Sequence, residues 1–313
     1  MEIKNWTYAE FPEFSETVEG AKIIETTGDE LGISYLHDVE YANVNGTPLH
    51  LQVLIPSCRN KPFNFFAPEQ TREPLPCFVF VQGSAWMQQY VYGNVAEIAK
   101  LARRGYVCAI VEYRHSGIAP FPAQAVDTRN AIRFLRSKAK KFGIDPERII
   151  VAGDSSGGHT AMWAGLRHND DDPEENLFPG ISAEVKGIVN YYGSVSVMLE
   201  DGNPSTLNHH LPDSPEGMEM GGVNLREHPE LCRALSVEEN IDKNTDVAPV
   251  LIFHGTKDRT VNTKESVLLY NALKAAGKEV DFYLIKGADH GGPEFWTDTV
   301  IDIVDAFMRK NLQ

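Results

Sequence analysis

Short runs that are apolar almost throughout alternate along the chain with segments whose apolar residues recur at helical spacing. The runs Cys77–Val81, Val107–Glu112, Arg148–Ala152, Val185–Tyr192, Val247–His254 and Val280–Ile285 are rich in Val, Ile and Phe. A parallel strand covered by helices on both faces needs this continuous apolar character. Ahead of them, Ile33–Ala42 and Pro48–Ile55 flank Asn45-Gly46, a dipeptide that tolerates positive φ at both turn positions, so the pair reads as an antiparallel edge hairpin. Leu269, Ala272, Leu273 and Ala276 mark one helix face, with Asn262 and Glu265 set as a capping pair and Gly277 as the C′ glycine. Val300, Ile303, Val304 and Phe307 repeat the helical spacing near the C-terminus. The alternation predicts an α/β fold: a mostly parallel central sheet of about eight strands, with helices on both faces.

Four stretches break the pattern. Residues 1–32 read as an irregular N-terminal arm, and residues 56–76, rich in Pro, Asn and Phe, as a surface loop. The acidic run His168–Glu175 reads as a solvated loop after a helix. Residues 194–246 offer no strand, several Pro and Gly, and Met198, Met218 and Met220. So long an irregular connection in a compact domain is usually functional, and it is expected to be a lid inserted into a single domain spanning 1–313.

Composition narrows the classes. The chain has 313 residues and a formal net charge of −15, which opposes binding to nucleic-acid phosphates or anionic lipid, so neither is expected as a partner. Cys58, Cys77, Cys108 and Cys232 are scattered with no CxxC pair, which suits a reduced compartment and no structural zinc. No secretory leader or membrane span is read, and a cytoplasmic location is expected. His209-His210 has no carboxylate partner at helical spacing, so no metal is expected. No G-x-G-x-x-G or Walker loop appears, and no cofactor is implied.

The strongest chemical signal is Val151-Ala-Gly-Asp-Ser-Ser-Gly-Gly-His159. It holds G-x-S-x-G as Gly153, Ser155 and Gly157, directly after a strand and before a helix, the context of a nucleophile elbow. Only Ser155 has Gly at both −2 and +2; Ser156 instead offers a backbone N–H at the helix N-terminus, a natural oxyanion donor. A serine needs a base held by an acid. Asp258 and His290 follow in that order, each just past a buried strand, where open α/β sheets build their sites. Asp289 is a rival acid, disfavoured because adjacency to His290 makes a productive contact awkward. His254, at a strand end, reads as packing.

With these motifs in this order, the chain resembles the α/β-hydrolase superfamily, and more narrowly the acyl-ester hydrolases of the hormone-sensitive-lipase, feruloyl-esterase and acetyl-esterase branches. Their elbow commonly reads G-D-S-A-G-G, against Gly153-Asp-Ser-Ser-Gly-Gly158 here, and the likeness runs from about residue 45 to the C-terminus. The resemblance implies an H-G-G-G-W-like loop after the third strand, read here as Gln82-Gly83-Ser84-Ala85-Trp86. Its oxyanion donor is expected at Ser84, then Ala85. Glu112-Tyr113-Arg114 also resembles the family, where that turn is mainly structural. The resemblance implies a serine esterase acting on short-chain or aryl acyl esters, a small-molecule partner, with Ser155, His290 and Asp258 as the triad. Trp86, His210, Met218 and Met220 are expected to line the substrate pocket. An amidase or formamidase with the same triad is the alternative; a ligand-binding receptor is a further one, against which the presence of His290 argues.

Overall fold

The computed structural model describes residues 3–166, 175–198 and 203–313. The acidic run His168–Glu175 lies outside these residues except for Glu175. The described part of the chain forms one eight-stranded sheet in the order β1-β2-β4-β3-β5-β6-β7-β8. β1 (Gly32–Val44) and β2 (Thr47–Ser57) form the antiparallel hairpin. Asn45 and Gly46 sit at φ 52° and 87°, the left-handed pair that a two-residue hairpin turn with matching twist requires. β2 pairs antiparallel with β4 (Val107–Val111), and every later pairing is parallel. The remaining strands are β3 (Leu75–Val81), β5 (Ile144–Asp154), β6 (Ile188–Tyr191), β7 (Val250–Gly255) and β8 (Val280–Ile285).

The apolar runs of β3 to β7 form strands because both sheet faces are covered, whereas β8, at the sheet edge, departs from that expectation and leaves Tyr283 and Leu284 exposed. Cys77 to Val81 are fully buried, and alternate residues enter different cores. Cys77, Val79 and Val81 join one cluster, while Phe78 and Phe80 join the other. On the first face pack α2 (Ala123–Ser137), α4 (Ser156–Leu166) and α7 (Thr263–Ala275); on the second pack α1 (Val95–Ala102) and α8 (Asp298–Asn311). α3 (Ala139–Phe142) is a single turn that leads into β5. α4 is buried along its whole length, so no amphipathic stripe marks it in the sequence.

Three expectations shift. β5 begins at Ile144, four residues before the apolar run, because Leu75 pairs with Ile144 across an irregular register. The 56–76 loop is not wholly superficial: Phe63 is buried in the first core. The capping pair on α7 is half realised. Asn262 accepts from the Lys264 amide, but the Glu265 side chain turns inward and accepts the Ser196 amide at 3.1 Å. At the other end, the Gly277 amide donates to the Lys274 carbonyl and the Lys278 amide to that of Leu273, with Gly277 at φ 72°, a Schellman closure.

Candidate active site

The parallel strands end on one edge, and the loops there carry the chemistry. Ser155 follows β5 directly and holds φ 53°, a left-handed conformation costly for a residue with a Cβ. The turn that enforces it is too tight for side chains. A Cβ on Gly153 would lie 2.1 Å from the Gly157 carbonyl oxygen, and one on Gly157 would lie 2.0 Å from that of Val81. The glycines at −2 and +2 are thus dictated by backbone approach between elbow, helix and β3.

Ser155 Oγ lies 2.8 Å from His290 Nε2, and His290 Nδ1 lies 2.8 Å from Asp258 Oδ2. The Asp258 side chain is fully buried, whereas that of His290 is 19% exposed. Burial alone would raise the Asp258 carboxyl. Hydrogen bonds from His254 and His290, with the charge of His290, outweigh it and hold the group well below the usual carboxylate range. Asp258 Oδ1 also accepts the Thr260 and Val261 amides, which fixes the carboxylate in its loop. Asp289 faces away from the imidazole: its carboxylate takes the Arg259 amide and guanidinium and the His290 amide.

A second set of bonds ties the loop after β3 to the elbow. Asp154 Oδ1 accepts the Gly83 amide at 2.7 Å, and its Oδ2 accepts the Tyr192 hydroxyl at 3.2 Å. Tyr192, itself at φ 39°, packs edge-on against His290 with centroids 5.0 Å apart. Burial raises the Asp154 carboxyl, opposed by these two bonds. Ala85 and Trp86 hold φ 55° and 53°, so this short loop is as constrained as the elbow it faces.

The expected order of oxyanion donors changes on this geometry. The Ser84 amide donates to Ser156 Oγ at 2.9 Å, and Ser84 Oγ bonds the Met87 carbonyl and the Tyr113 hydroxyl. Ser84 is therefore committed to holding the loop. Among the described residues the Ala85 amide makes no such bond. Trp86 is also reassigned: it is 1% exposed and packs edge-on against His159, 5.1 Å between centroids, anchoring the loop. Tyr113 and Arg114 support the same region, Arg114 through a buried ion pair with Asp127.

Of the 194–246 segment, residues 199–202 lie outside the described set. The rest includes α5 (Pro215–Glu219) and α6 (Pro229–Leu235) and spans the strand ends. The Ser194 amide bonds the Ser155 carbonyl, the Thr206 amide that of Arg259, and the Phe121 amide that of Glu219. His159 Nε2 and Trp163 Nε1 both reach the Leu235 carbonyl, at 2.9 and 3.2 Å. Burial lowers the His159 imidazole to about 4, so it is neutral there. Met220 packs on the segment's own apolar cluster of Val197, Leu225, Cys232 and Leu235, and His210 Nε2 lies 3.2 Å from the Val197 carbonyl. Both therefore serve the segment's internal packing; Met218, half-buried on α5, has no contact tying it to that cluster. His209 faces Glu216, Ser205 and the Thr260 carbonyl, so the two adjacent histidines serve different partners.

Sequence reading missed His254. Reading it as packing is corrected by its bonds: Nε2 lies 3.1 Å from Asp258 Oδ2, and Nδ1 lies 2.7 Å from Ser266 Oγ. Its spacing of four from Asp258 was the available signal. Among the described residues no group of three or more His, Cys, Asp or Glu is arranged to hold a metal, and no helix is long and apolar enough to cross a membrane.

The chain is 29% identical over 221 residues to esterase LipC of Mycobacterium tuberculosis, covering 70% of this chain and 53% of that protein. It is 24% identical over 266 residues to the isoprenylcysteine alpha-carbonyl methylesterase ICME of Arabidopsis thaliana, covering 79% and 60%. The chain thus spans roughly half to three fifths of the length of these relatives. Among solved structures, a truncated carbohydrate esterase from gut microbiota superposes with a TM-score of 0.73 at 23% identity, over 91% of this chain and 98% of that one. The propionate-bound esterase Est2 of Thermogutta terrifontis gives 0.65 at 23%, over 90% and 94%. These superpositions establish the α/β-hydrolase fold. The BD-FAE family model matches residues 63–273, from the loop before β3 to near the end of α7, and the chain belongs to that family.

Proposed function

We propose that this chain is a serine carboxylic-ester hydrolase working through an acyl-enzyme. One observation carries the reading: the Ser155 Oγ, His290 Nε2 and Nδ1, and Asp258 Oδ2 atoms stand in a hydrogen-bonded line, each contact 2.8 Å. His290 takes the Ser155 proton as the hydroxyl attacks the ester carbonyl, and Asp258 orients the ring and stabilises the imidazolium. The Ala85 and Ser156 amides receive the tetrahedral oxyanion, each donor contributing about 3 kcal/mol to the transition state. His290 then protonates the leaving alcohol, and water repeats the sequence on the acyl-enzyme.

For substrate we infer a short-chain or aryl acyl ester of a small molecule, the acyl length suggested by the Thermogutta esterase structures that hold propionate and butyrate. The 194–246 segment, draped across the strand ends, serves as the lid of a single-domain enzyme. Hydrolysis of p-nitrophenyl esters of graded acyl length, with matched anilides in parallel, tests the reading. Preference for acetyl to butyryl esters over anilides is expected; faster cleavage of anilides would point to an amidase, and no cleavage to a binding protein.

A further inference from the structure

The acid of the triad is held by two imidazoles, not one. His254, the penultimate residue of β7, lies four residues before Asp258 and is fully buried. Its Nε2 faces Asp258 Oδ2 and the Val261 carbonyl, both at 3.1 Å. Both are pure acceptors in this setting, so Nε2 must carry the proton. The other nitrogen, Nδ1, faces Ser266 Oγ on α7 at 2.7 Å, whose hydroxyl donates to it and fixes the tautomer. The result is one continuous chain: Ser266 hydroxyl, His254, Asp258, His290, Ser155.

From this geometry we infer that His254 is a positioning residue of the reaction, which holds Asp258 as an oriented anion and thereby sets the protonation range of His290. The two imidazole N–H groups share a single carboxylate oxygen, Oδ2. Each draws off part of its charge, so His254 limits how strongly Asp258 stabilises the His290 imidazolium. Remove the His254 donor and that charge concentrates on His290, which then keeps its proton to higher pH. Other ionisable groups face this pair and stay in place in the test: Glu265 on α7, His209 from the lid, Tyr192 after β6 and Asp154 at the elbow. On the same loops, Arg259 is engaged by Asp289.

The inference rests on the triad reading, and the experiment separates the two. The pH profile of kcat/KM for p-nitrophenyl acetate is measured for wild type, His254→Leu, His254→Gln, Ser266→Ala and Ser155→Ala. His254→Leu is expected to lose about 10-fold or more in kcat with KM nearly unchanged, and its acid limb to move to higher pH. His254→Gln, whose amide restores a donor near the Nε2 position, recovers most of the rate and returns the limb. Ser266→Ala shows a smaller shift in the same direction. A folded His254→Leu protein with its acid limb in place overturns the inference, whether or not kcat falls, since lost packing alone moves no limb. Should His254→Leu not fold, Ser266→Ala carries the test, and an unshifted limb there overturns it equally. Activity surviving in Ser155→Ala would instead sink the triad reading itself.

Discussion

The Arg259 amide donates to Asp289 Oδ1 at 3.0 Å, and that same oxygen takes the His290 amide at 2.9 Å. Asp289 thus stitches the loop that carries Asp258 to the loop that carries His290. Hydrogen bonds from Arg259 lower its carboxyl to about 2, so it stays ionised across the working range of an esterase. The clamp is exposed and built from one ion pair with backbone amides. Asp258→Asn is therefore expected to cost about 10⁴-fold in kcat through the wrong imidazole tautomer, whereas Asp289→Asn costs about 10-fold or less. Equal losses in the two variants would move the acid to Asp289.

Ser155 and Ser156 make a second discriminating pair. Ser155→Ala abolishes turnover and leaves the fold intact, since alanine removes only Oγ. Ser156→Ala retains the backbone donor but loses the hydroxyl that anchors the Ser84 amide, so a partial loss is expected. Steady-state rates on one ester decide it, and a dead Ser156→Ala beside an active Ser155→Ala refutes the assignment.

Two carboxyls, Glu238 within the 194–246 segment and Glu265 against it, make stability depend on pH. Burial, reinforced by Glu216, Glu238 and Asp258, raises Glu265 well above its ordinary value, and burial raises Glu238 to about 7. A carboxyl raised in the folded state stabilises fully below its unfolded value near 4.5, and that contribution is lost as pH climbs through the folded value. Glu265→Gln keeps an acceptor for the Ser196 amide yet carries no such penalty. Its Tm is expected to match wild type near pH 5 and to exceed it by about 2 °C or more at pH 8. A gap that is constant with pH would contradict the account.

The 194–246 segment, proposed above as a lid, is expected to govern selectivity. Pocket contacts discriminate by about 1–3 kcal/mol per methylene-sized change, so Met218→Ala should reorder kcat/KM across a graded acyl panel. His210→Ala and Met220→Ala disturb packing within the 194–246 segment and are expected to lower stability first. An unchanged ranking in all three variants removes the lid from selectivity.

Much of this was legible because backbone geometry forces particular residues. Gly153 and Gly157 are demanded by atoms 2 Å from an absent Cβ, and Asn45-Gly46 by the hairpin turn, so both carry a local signature. Ser155, Asp258 and His290, which the structure brings into contact at 2.8 Å, could be picked out from strand ends and chain order. What failed to show depended on long-range partners. Glu265 looks like a capping residue until Ser196, 69 positions away, claims its carboxylate. Ser84 looks like an oxyanion donor until Ser156, 72 positions away, takes its amide. Trp86 looks like a pocket wall, yet the fold places His159 against it.

Activation of Ser155 as a nucleophile by His290 is the step on which the proposed reaction stands. It is tested most directly by treating the protein with a fluorophosphonate and locating the adduct by mass spectrometry of its peptides. One equivalent of label, confined to Ser155, is expected, with labelling slowed by orders of magnitude in His290→Ala. Label on Ser156 or elsewhere, or none on a folded protein, would contradict it.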